Sequence, residues 1–241
     1  MKRKKKPLQP VTVEPQVWQE NLAWEGERVL TVSLRRPSIS GDTAPLRRME
    51  RYYARLAALW RERWTGPLYR AACEALTAAR AASRPFHPWE VSVDYAVTYA
   101  KDGILSLKLE TRERTGGARP LLRFQGDVWD TAAGVPVPLR AFFPSRARVK
   151  RLLLPQLRAQ VEKRTASGEY LYYPDWPRRL KADFSPDRFY LTESGELALF
   201  YPLYTLAPYA EGVPVFTVPP PLFPFPRENL PEAVEAPPVP C

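Results

Sequence analysis

The sequence predicts an α+β fold in which an antiparallel sheet, built from meanders and hairpins, carries helices packed on one face. Runs of alternating apolar and polar residues, separated by turn residues, predict the strands. Apolar residues at three-four spacing predict the helices. With 241 residues, of which 45% are hydrophobic, the chain is long enough to bury a core without disulfides.

The first predicted elements are a strand and two helical runs. Residues 28–34 alternate in polarity and contain β-branched side chains, and we expect the strand to end in the segment 35–41. Asp42 or Thr43 can cap the helix that follows. A second helical run covers residues 65–83, and the Gly-Pro pair near its start predicts an irregular turn within one long helix or between two.

The clearest hairpin follows these helices. Residues 91–99 alternate strictly, Asp102 and Gly103 supply the turn, and residues 104–109 return as the second strand. The alternation places five side chains on one face: Val91, Val93, Tyr95, Val97 and Tyr99.

The second half of the chain repeats this mixture of elements. Residues 121–129 predict a strand, and a helix is predicted from Ser145, with Pro155 as a kink or a restart. Its apolar stripe consists of Val149, Leu152, Leu153, Leu157 and Val161. The last hairpin joins residues 189–192 to 196–201, and residues 213–218 form a closing strand.

No catalytic signature occurs in the sequence, and we expect neither an enzyme nor a bound metal or cofactor. Asp127 and Asp130 flank a tryptophan near a turn, which favours turn capping over a paired-acid glycosidase site. His87 is the only histidine and is predicted to lie in a loop. Of the two cysteines, Cys73 is predicted to be a small core residue and Cys241 a free thiol.

The chain is basic, with a formal net charge of +10. Most of the excess lies within residues 18–218, which hold 30 basic and 22 acidic residues. The helix that starts at Ser145 is rich in arginine and lysine, which is typical of a solvated helix face. A site for nucleic acid or another polyanion is the alternative, and salt-dependent affinity would mark it.

The two ends of the chain predict a soluble, cytoplasmic protein for the sequence as written. No window of 18 apolar residues occurs, so no integral membrane segment is expected. The basic run from Lys2 to Lys6 lacks the apolar region that a signal peptide needs after it. Nine of the last 23 residues are proline, which predicts a disordered tail.

One segment is specific enough to indicate a family. Residues 189–212, FYLTESGELALFYPLYTLAPYAEG, combine an aromatic strand, an acidic turn with glycine, a second strand and a loop rich in proline and tyrosine. This segment resembles the closing motif of the RsiV-type domain family. The order of PWEVSVDY (88–95), the Asp102–Gly103 hairpin and VWDT (128–131) before LRAFF (139–143) is similar to the other landmarks of that family.

The resemblance covers about residues 25–219 and implies a domain organisation. It divides the chain into a basic, proline-containing arm (1–24), an N-terminal module (25–118), a C-terminal module (119–219) and a proline-rich tail (220–241). We expect the two modules to share a sheet.

In that bacterial family, the domain is the extracytoplasmic, lysozyme-sensing region of the RsiV anti-sigma factor. It also precedes the catalytic domain of PdaC-like peptidoglycan deacetylases. The resemblance therefore implies a non-catalytic ligand-binding or sensing domain of the cell envelope, standing alone without anti-sigma, membrane or deacetylase segments. The partner that the resemblance implies is lysozyme. Because C-type lysozymes are basic and this chain carries +10, an anionic cell-wall polymer or an acidic protein suits the charge better, and nucleic acid is a less favoured partner.

Within the resembling motif, the proline- and tyrosine-rich loop is the predicted binding surface. Prolines stiffen a loop and lower the ordering cost of association, and tyrosines are enriched at binding hot spots. The candidate binding residues are Tyr201, Pro202, Tyr204, Pro208 and Tyr209. Strand alternation favours Tyr204 and Tyr209 as the exposed tyrosines. The predicted structural turn residues are Asp102, Gly103, Gly195 and Gly212.

Overall fold

The computed structural model describes residues 11–117 and 119–222 of the chain. Within these ranges the strands are β1 (Thr12–Trp24), β2 (Glu27–Ser40), β3 (Trp89–Lys101), β4 (Ile104–Arg114), β5 (Leu121–Asp130), β6 (Val135–Pro136), β7 (Phe189–Leu191), β8 (Leu197–Phe200) and β9 (Val215–Val218). The α-helices are α1 (Ala44–Arg63), α2 (Tyr69–Ala81), α3 (Val149–Ala166) and α4 (Trp176–Ala182). The basic run at Lys2–Lys6 and Cys241 lie outside the described residues.

The strands form two sheets, which confirms the predicted α+β class with mainly antiparallel pairing. The first sheet has the order β1-β2-β3-β4-β5-β6, and the second has the order β7-β8-β9. All pairs are antiparallel except β2 and β3, which run parallel. Strands β5 and β6 of the predicted C-terminal module complete the first sheet, so the modules share that sheet, while β7–β9 form the second sheet, which was not predicted.

The long hairpin of β1 and β2 corrects two expectations. Residues 12–24 lie in β1 and not in a free arm, and β2 continues past residue 34 to Ser40. Pro15 and Pro37 stand opposite each other in this hairpin. Proline lacks a backbone N–H, so it occurs in strands only where no neighbouring strand needs that donor. Strand β1 is the edge of the sheet, and β3 pairs with β2 only as far as Leu34. Neither proline therefore faces a further strand that needs its N–H.

Helices α1 and α2 cover the first sheet and form one helical stretch, with the predicted irregular turn between them. Thr43 caps α1, because its hydroxyl accepts a hydrogen bond from the backbone N–H of Leu46 (3.4 Å). A π-helical turn over Trp64–Leu68, which contains a glycine and a proline, joins the two helices. Cys73 is partly buried on α2 and packs against the core between these helices and β2 and β3.

Two side chains predicted to face the core are exposed instead. Val97 has 42% of its surface exposed, although its pairing with Leu107 keeps the alternation of Tyr95 and Leu109. The bulge between Val97 and Tyr99 places Tyr99 in a different core cluster from Tyr95, which corrects the prediction that these two side chains share one face. Leu152 is 47% exposed, whereas Leu153 and Leu157 are fully buried. Helix α3 continues through Pro155 without a restart, although this proline lacks the N–H that would donate to the carbonyl of Arg151.

The second sheet packs against α3 and against the open face of the first sheet. Gln160 and Arg164 of α3 donate hydrogen bonds to the backbone carbonyls of Thr217 and Val215 (2.9 Å each), so α3 covers the outer edge of β9. No helix within the described ranges is long and apolar enough to cross a membrane.

Candidate ligand-binding surface

The predicted binding loop connects β8 to β9, and its first tyrosine belongs to the core. Tyr201 is 2% exposed, and its hydroxyl donates a hydrogen bond to the backbone carbonyl of Leu180 (2.8 Å). Burial raises the pKa of the Tyr201 phenol. The expectation that Tyr201 contacts a ligand is therefore wrong, because its ring and its hydroxyl are both used inside the protein.

Tyr204 is the exposed aromatic residue of the loop. Its side chain is 46% exposed, and its backbone has a φ of 63°. A positive φ is a rare and strained conformation for a bulky residue. The ring lies 5.8 Å from the ring of Tyr209, with 37° between the planes. The loop thus displays a pair of tyrosine rings, one of them on a strained backbone.

The neighbours of Tyr204 explain why it keeps this conformation. The backbone N–H of Thr205 donates to the carbonyl of Pro202 (3.1 Å), which closes a four-residue turn. Tyr204 occupies the third position of that turn, where a positive φ normally selects glycine. Leu203 and Leu206 are buried on either side, so the turn directs Tyr204 outward.

An arginine from a distant part of the sequence lies next to the tyrosine pair. The guanidinium carbon of Arg119, in the β4–β5 connection, lies 5.3 Å from the centre of the Tyr209 ring. We call Arg119, Tyr204 and Tyr209 the aromatic–arginine surface. Pro202 is exposed and Pro208 is partly exposed in the same loop, so both remain available for contact.

Sequence reasoning missed Arg119, since only tertiary structure brings it to the loop. The arrangement offers two aromatic rings, phenolic hydroxyl groups and a guanidinium, which are groups that bind a ligand.

All four predicted turn residues have positive φ. The values are 55° at Asp102, 74° at Gly103, 84° at Gly195 and 73° at Gly212. Asp102 and Gly103 form the two-residue turn between β3 and β4, and Gly195 lies between β7 and β8. These residues shape the hairpins and the end of the tyrosine-rich loop, and they lie outside the aromatic–arginine surface as defined.

The two aspartates near Trp129 have different roles. Asp130 caps its turn as predicted, because one carboxylate oxygen accepts hydrogen bonds from the backbone N–H groups of Ala132 (2.8 Å) and Ala133 (3.0 Å). Asp127 does not cap a turn. It lies under α1, where the Tyr53 hydroxyl donates to its Oδ2 (3.0 Å) and Gln125 donates to its Oδ1 (3.0 Å).

The surroundings of Asp127 change the pKa of its carboxyl group. Burial raises the pKa of its carboxyl group to about 6, although the hydrogen bonds from Gln125 and Tyr53 oppose this shift. Tyr53 also accepts a hydrogen bond from the indole of Trp129 (2.8 Å). This hydrogen-bond network connects α1 to β5.

The other residues considered for catalysis, metal binding or polyanion binding lie apart from one another. His87 is exposed in the α2–β3 connection. Within residues 11–117 and 119–222, no group of three or more histidine, cysteine, aspartate or glutamate side chains is placed to hold a metal ion. Among the basic residues of α3, Arg158 pairs with Glu162 on the surface (2.8 Å).

Two family models match parts of this chain. Residues 141–220 match the model of a protein family of unknown function, DUF3298, and residues 25–122 match a model described as deacetylase PdaC. Tyr204 and Tyr209 lie in the segment that matches the DUF3298 model, while Arg119 lies in the segment that matches the PdaC model. The aromatic–arginine surface is therefore built from both matched segments.

Solved structures share this fold at low sequence identity. A DUF3298 family member from Bacteroides fragilis aligns with a TM-score of 0.62 and 17% identity, over 87% of this chain and 90% of that chain. A DUF3298 family protein from Pseudomonas aeruginosa aligns with a TM-score of 0.58 and 18% identity, over 89% and 91%. A search of curated proteins finds no match.

Proposed function

We propose that this chain is a non-catalytic, RsiV-like domain for ligand binding or sensing, and that its ligand contacts the aromatic–arginine surface. One observation carries the proposal: Tyr204 is held outward on a strained backbone, with its ring against Tyr209. The resemblance of residues 189–212 to the RsiV-type motif and the DUF3298 match over residues 141–220 support it.

The energetics of Tyr204 favour a binding role. A non-glycine residue with positive φ costs about 1–3 kcal/mol, and such strain is concentrated at functional sites. Core packing does not require the ring of Tyr204, because nearly half of its surface is exposed. A ring held in place before association loses little conformational entropy on binding. The strain therefore gives the domain a prearranged contact.

We propose lysozyme as the first candidate ligand. C-type lysozymes are basic, and this chain carries +10, so net charge does not attract the two proteins. The complex would depend on shape and on aromatic contacts, and its affinity would change little with salt. An anionic cell-wall polymer is the second ligand, and it would bind through Arg119 and other cations with a strong salt dependence.

The alternative function is polyanion binding by a cytoplasmic protein. It is supported by Arg146, Arg148 and Arg151, which are exposed before and within the first turn of α3. No acidic side chain within the described ranges forms an ion pair with any of these three arginines. Binding of this kind would respond to their replacement and not to replacement of Tyr204.

A titration of the full chain with a C-type lysozyme, at low and at high salt, tests the proposal. We expect saturable binding that survives high salt and weakens at least tenfold in Tyr204→Ala. The matched control is Trp24→Ala, since Trp24 is a similarly exposed aromatic residue (42%) on β1.

The outcomes separate the candidate functions. Equal losses in the two variants, or no binding to lysozyme, would exclude lysozyme as the ligand of this surface. Binding of single-stranded DNA that disappears when Arg146, Arg148 and Arg151 are changed to Gln, but not in Tyr204→Ala, would favour the alternative.

A further inference from the structure

The segment that leads into α3 carries positive charge without a neighbouring acid in the sequence. Residues 131–161 contain no aspartate and no glutamate. Five basic residues lie within this stretch, between positions 140 and 151, and all five are exposed: Arg140, Arg146, Arg148, Lys150 and Arg151. We call these five residues the α3 basic cluster.

No acidic side chain of residues 11–117 and 119–222 neutralises this cluster. None of its members forms an ion pair in these ranges, whereas the next cation along the helix, Arg158, pairs with Glu162. Lys150 lies over an aromatic ring, with its ammonium nitrogen 5.6 Å from the centre of Phe184. Like charges so close together repel one another, so the cluster favours an anionic partner.

A small cavity lies beside the cluster. Its volume is about 170 Å³, and most of the residues that line it are apolar: Arg140, Phe143, Pro144, Ser145, Ala147 and Val149. An apolar cavity of roughly 150 Å³ accommodates one benzene ring. This cavity therefore suits a single phenyl side chain, with a cation of the cluster at its wall.

The described part of the chain ends at the same place. The backbone N–H of Leu222 donates a hydrogen bond to the backbone carbonyl of Phe142 (3.1 Å). Phe142 is followed directly by Phe143, which lines the cavity. The residues that come after Leu222 therefore start next to both the cavity and the α3 basic cluster.

The sequence that follows Leu222 has a complementary composition. Residues 223–235 read FPFPRENLPEAVE, with two phenylalanines first and the charged residues after them. Three glutamates against one arginine give this segment a net charge of −2. We call it the acidic segment.

The acidic segment is long enough to reach the cluster. An extended chain covers about 3.3 Å per residue, so the six residues from Leu222 to Glu228 span up to about 20 Å. Helix α3 rises about 1.5 Å per residue, so Arg148 and Arg151 are only about 5 Å apart along its axis. The first glutamate can therefore contact the first turn of the helix while a phenylalanine occupies the cavity.

We propose that the acidic segment docks on the α3 basic cluster of its own chain, with the ring of Phe223 or Phe225 in the cavity and its glutamates against the cations. The segment lies outside the described residues. Its opposite charge, its start beside the cavity and the fit of a phenyl ring favour it as the occupant. A covalently attached partner acts at a high effective concentration, so modest contacts suffice.

The docking has a consequence for ligands of the cluster. A polyanion would reach the arginines of α3 only by displacing the acidic segment. The aromatic–arginine surface takes no part in this inference, so the docking and the proposed binding of lysozyme can each fail without the other.

Carbodiimide cross-linking of the full chain tests the docking directly, because this reagent joins a carboxylate to an amine that it contacts. We expect mass spectrometry of the monomeric product to show a link from Lys150 to a glutamate of residues 228–235, and high salt to remove it. The matched control is Lys163, an exposed lysine about 20 Å farther along α3, which should give at least fivefold less of this link.

Two variants keep Lys150 and remove the contacts around it. The combination of Arg146→Gln, Arg148→Gln and Arg151→Gln should lower the yield of the link at least fivefold, and Phe223→Ala with Phe225→Ala should lower it at least threefold. No link at Lys150, equal yields at Lys150 and Lys163, or a link that neither variant weakens would overturn the proposal. A link found only in covalent dimers would assign the cluster to a second copy of the chain and would overturn it as well.

Heparin–agarose chromatography measures whether the acidic segment screens the cluster from a polyanion. The first variant combines Glu228→Gln, Glu232→Gln and Glu235→Gln. The control combines Glu20→Gln, Glu62→Gln and Glu74→Gln at exposed positions of β1, α1 and α2, and it changes the net charge equally. We expect the first variant to elute at the higher salt concentration, because it alone uncovers the cluster. Equal elution of the two variants, or later elution of the control, would contradict the docking.

Discussion

The backbone N–H of Leu191 donates a 2.9 Å hydrogen bond to the hydroxyl of Ser106, and this bond joins the two sheets. Ser106 is fully buried on β4, and its hydroxyl also lies 2.9 Å from the hydroxyl of Thr98 on β3. The segment that matches the DUF3298 model is thus fixed to the preceding part of the chain by a buried polar contact. That contact helps determine the position of the turn between β7 and β8.

We expect Ser106→Ala to lower the free energy of unfolding by about 1–3 kcal/mol, because the buried N–H of Leu191 would lose its acceptor. Urea denaturation monitored by tryptophan fluorescence measures the change. The control is Ser145→Ala, at an exposed position, with an expected change below about 0.5 kcal/mol. Similar values for the two variants would show that the hydrogen bond contributes nothing to stability.

Gly126 is predicted to tolerate no side chain. A Cβ atom at this position of β5 would lie 1.9 Å from the backbone oxygen of Phe189, so β7 would have to move. We expect Gly126→Ala to lower the free energy of unfolding by about 3 kcal/mol or more. Gly117→Ala is the control, since the nearest atom to its added Cβ is 3.9 Å away, and comparable thermal stability of the two variants would contradict the packing described.

Asp127 predicts a specific dependence of stability on pH. Its carboxyl pKa is raised from 3.8 to about 6 by burial, so the folded protein holds the proton more tightly than the unfolded chain. The corresponding stabilisation is complete below pH 4 and is lost as the pH rises through 6. It amounts to at most ~3 kcal/mol.

The comparison with Asp127→Asn isolates this effect from the other carboxylates. Between pH 4 and pH 7, the free energy of unfolding of the unsubstituted protein should fall relative to that of the variant. Denaturant titrations at several pH values measure the difference. A constant difference across this range would mean that the carboxyl pKa is not raised.

Local sequence signals predicted the elements that depend on local geometry. The turn at Asp102 and Gly103, the cap at Thr43 and the irregular turn between α1 and α2 all follow from residues adjacent in the chain. The alternation in β3 was also correct as far as Tyr95. It failed at Tyr99, because the bulge after Val97 changes the face that Tyr99 occupies without a clear mark in the sequence.

Features that depend on distant residues could not be predicted in this way. Strand β1 is largely exposed and has weak alternation, so only its pairing with β2 reveals it. The burial of Tyr201 depends on α4, and the position of Arg119 near Tyr209 depends on the whole first sheet. The loop itself was identified from the sequence, whereas its division into core and surface residues required the structure.

We propose that the strained backbone of Tyr204 serves ligand binding, and the variant Tyr204→Gly tests this role. Glycine accepts a φ of 63° without strain, so removing the exposed ring should leave the free energy of unfolding unchanged or raise it by up to ~1 kcal/mol. The control is Ala159→Gly, at an exposed position of α3, which should lower stability by about 1 kcal/mol and leave binding intact.

The decisive measurement is the affinity of Tyr204→Gly for lysozyme, taken on the same samples as its stability. We expect at least a tenfold loss of affinity with no loss of stability. A variant that is less stable and binds as well as the unsubstituted protein would contradict it, because Tyr204 would then be a structural residue.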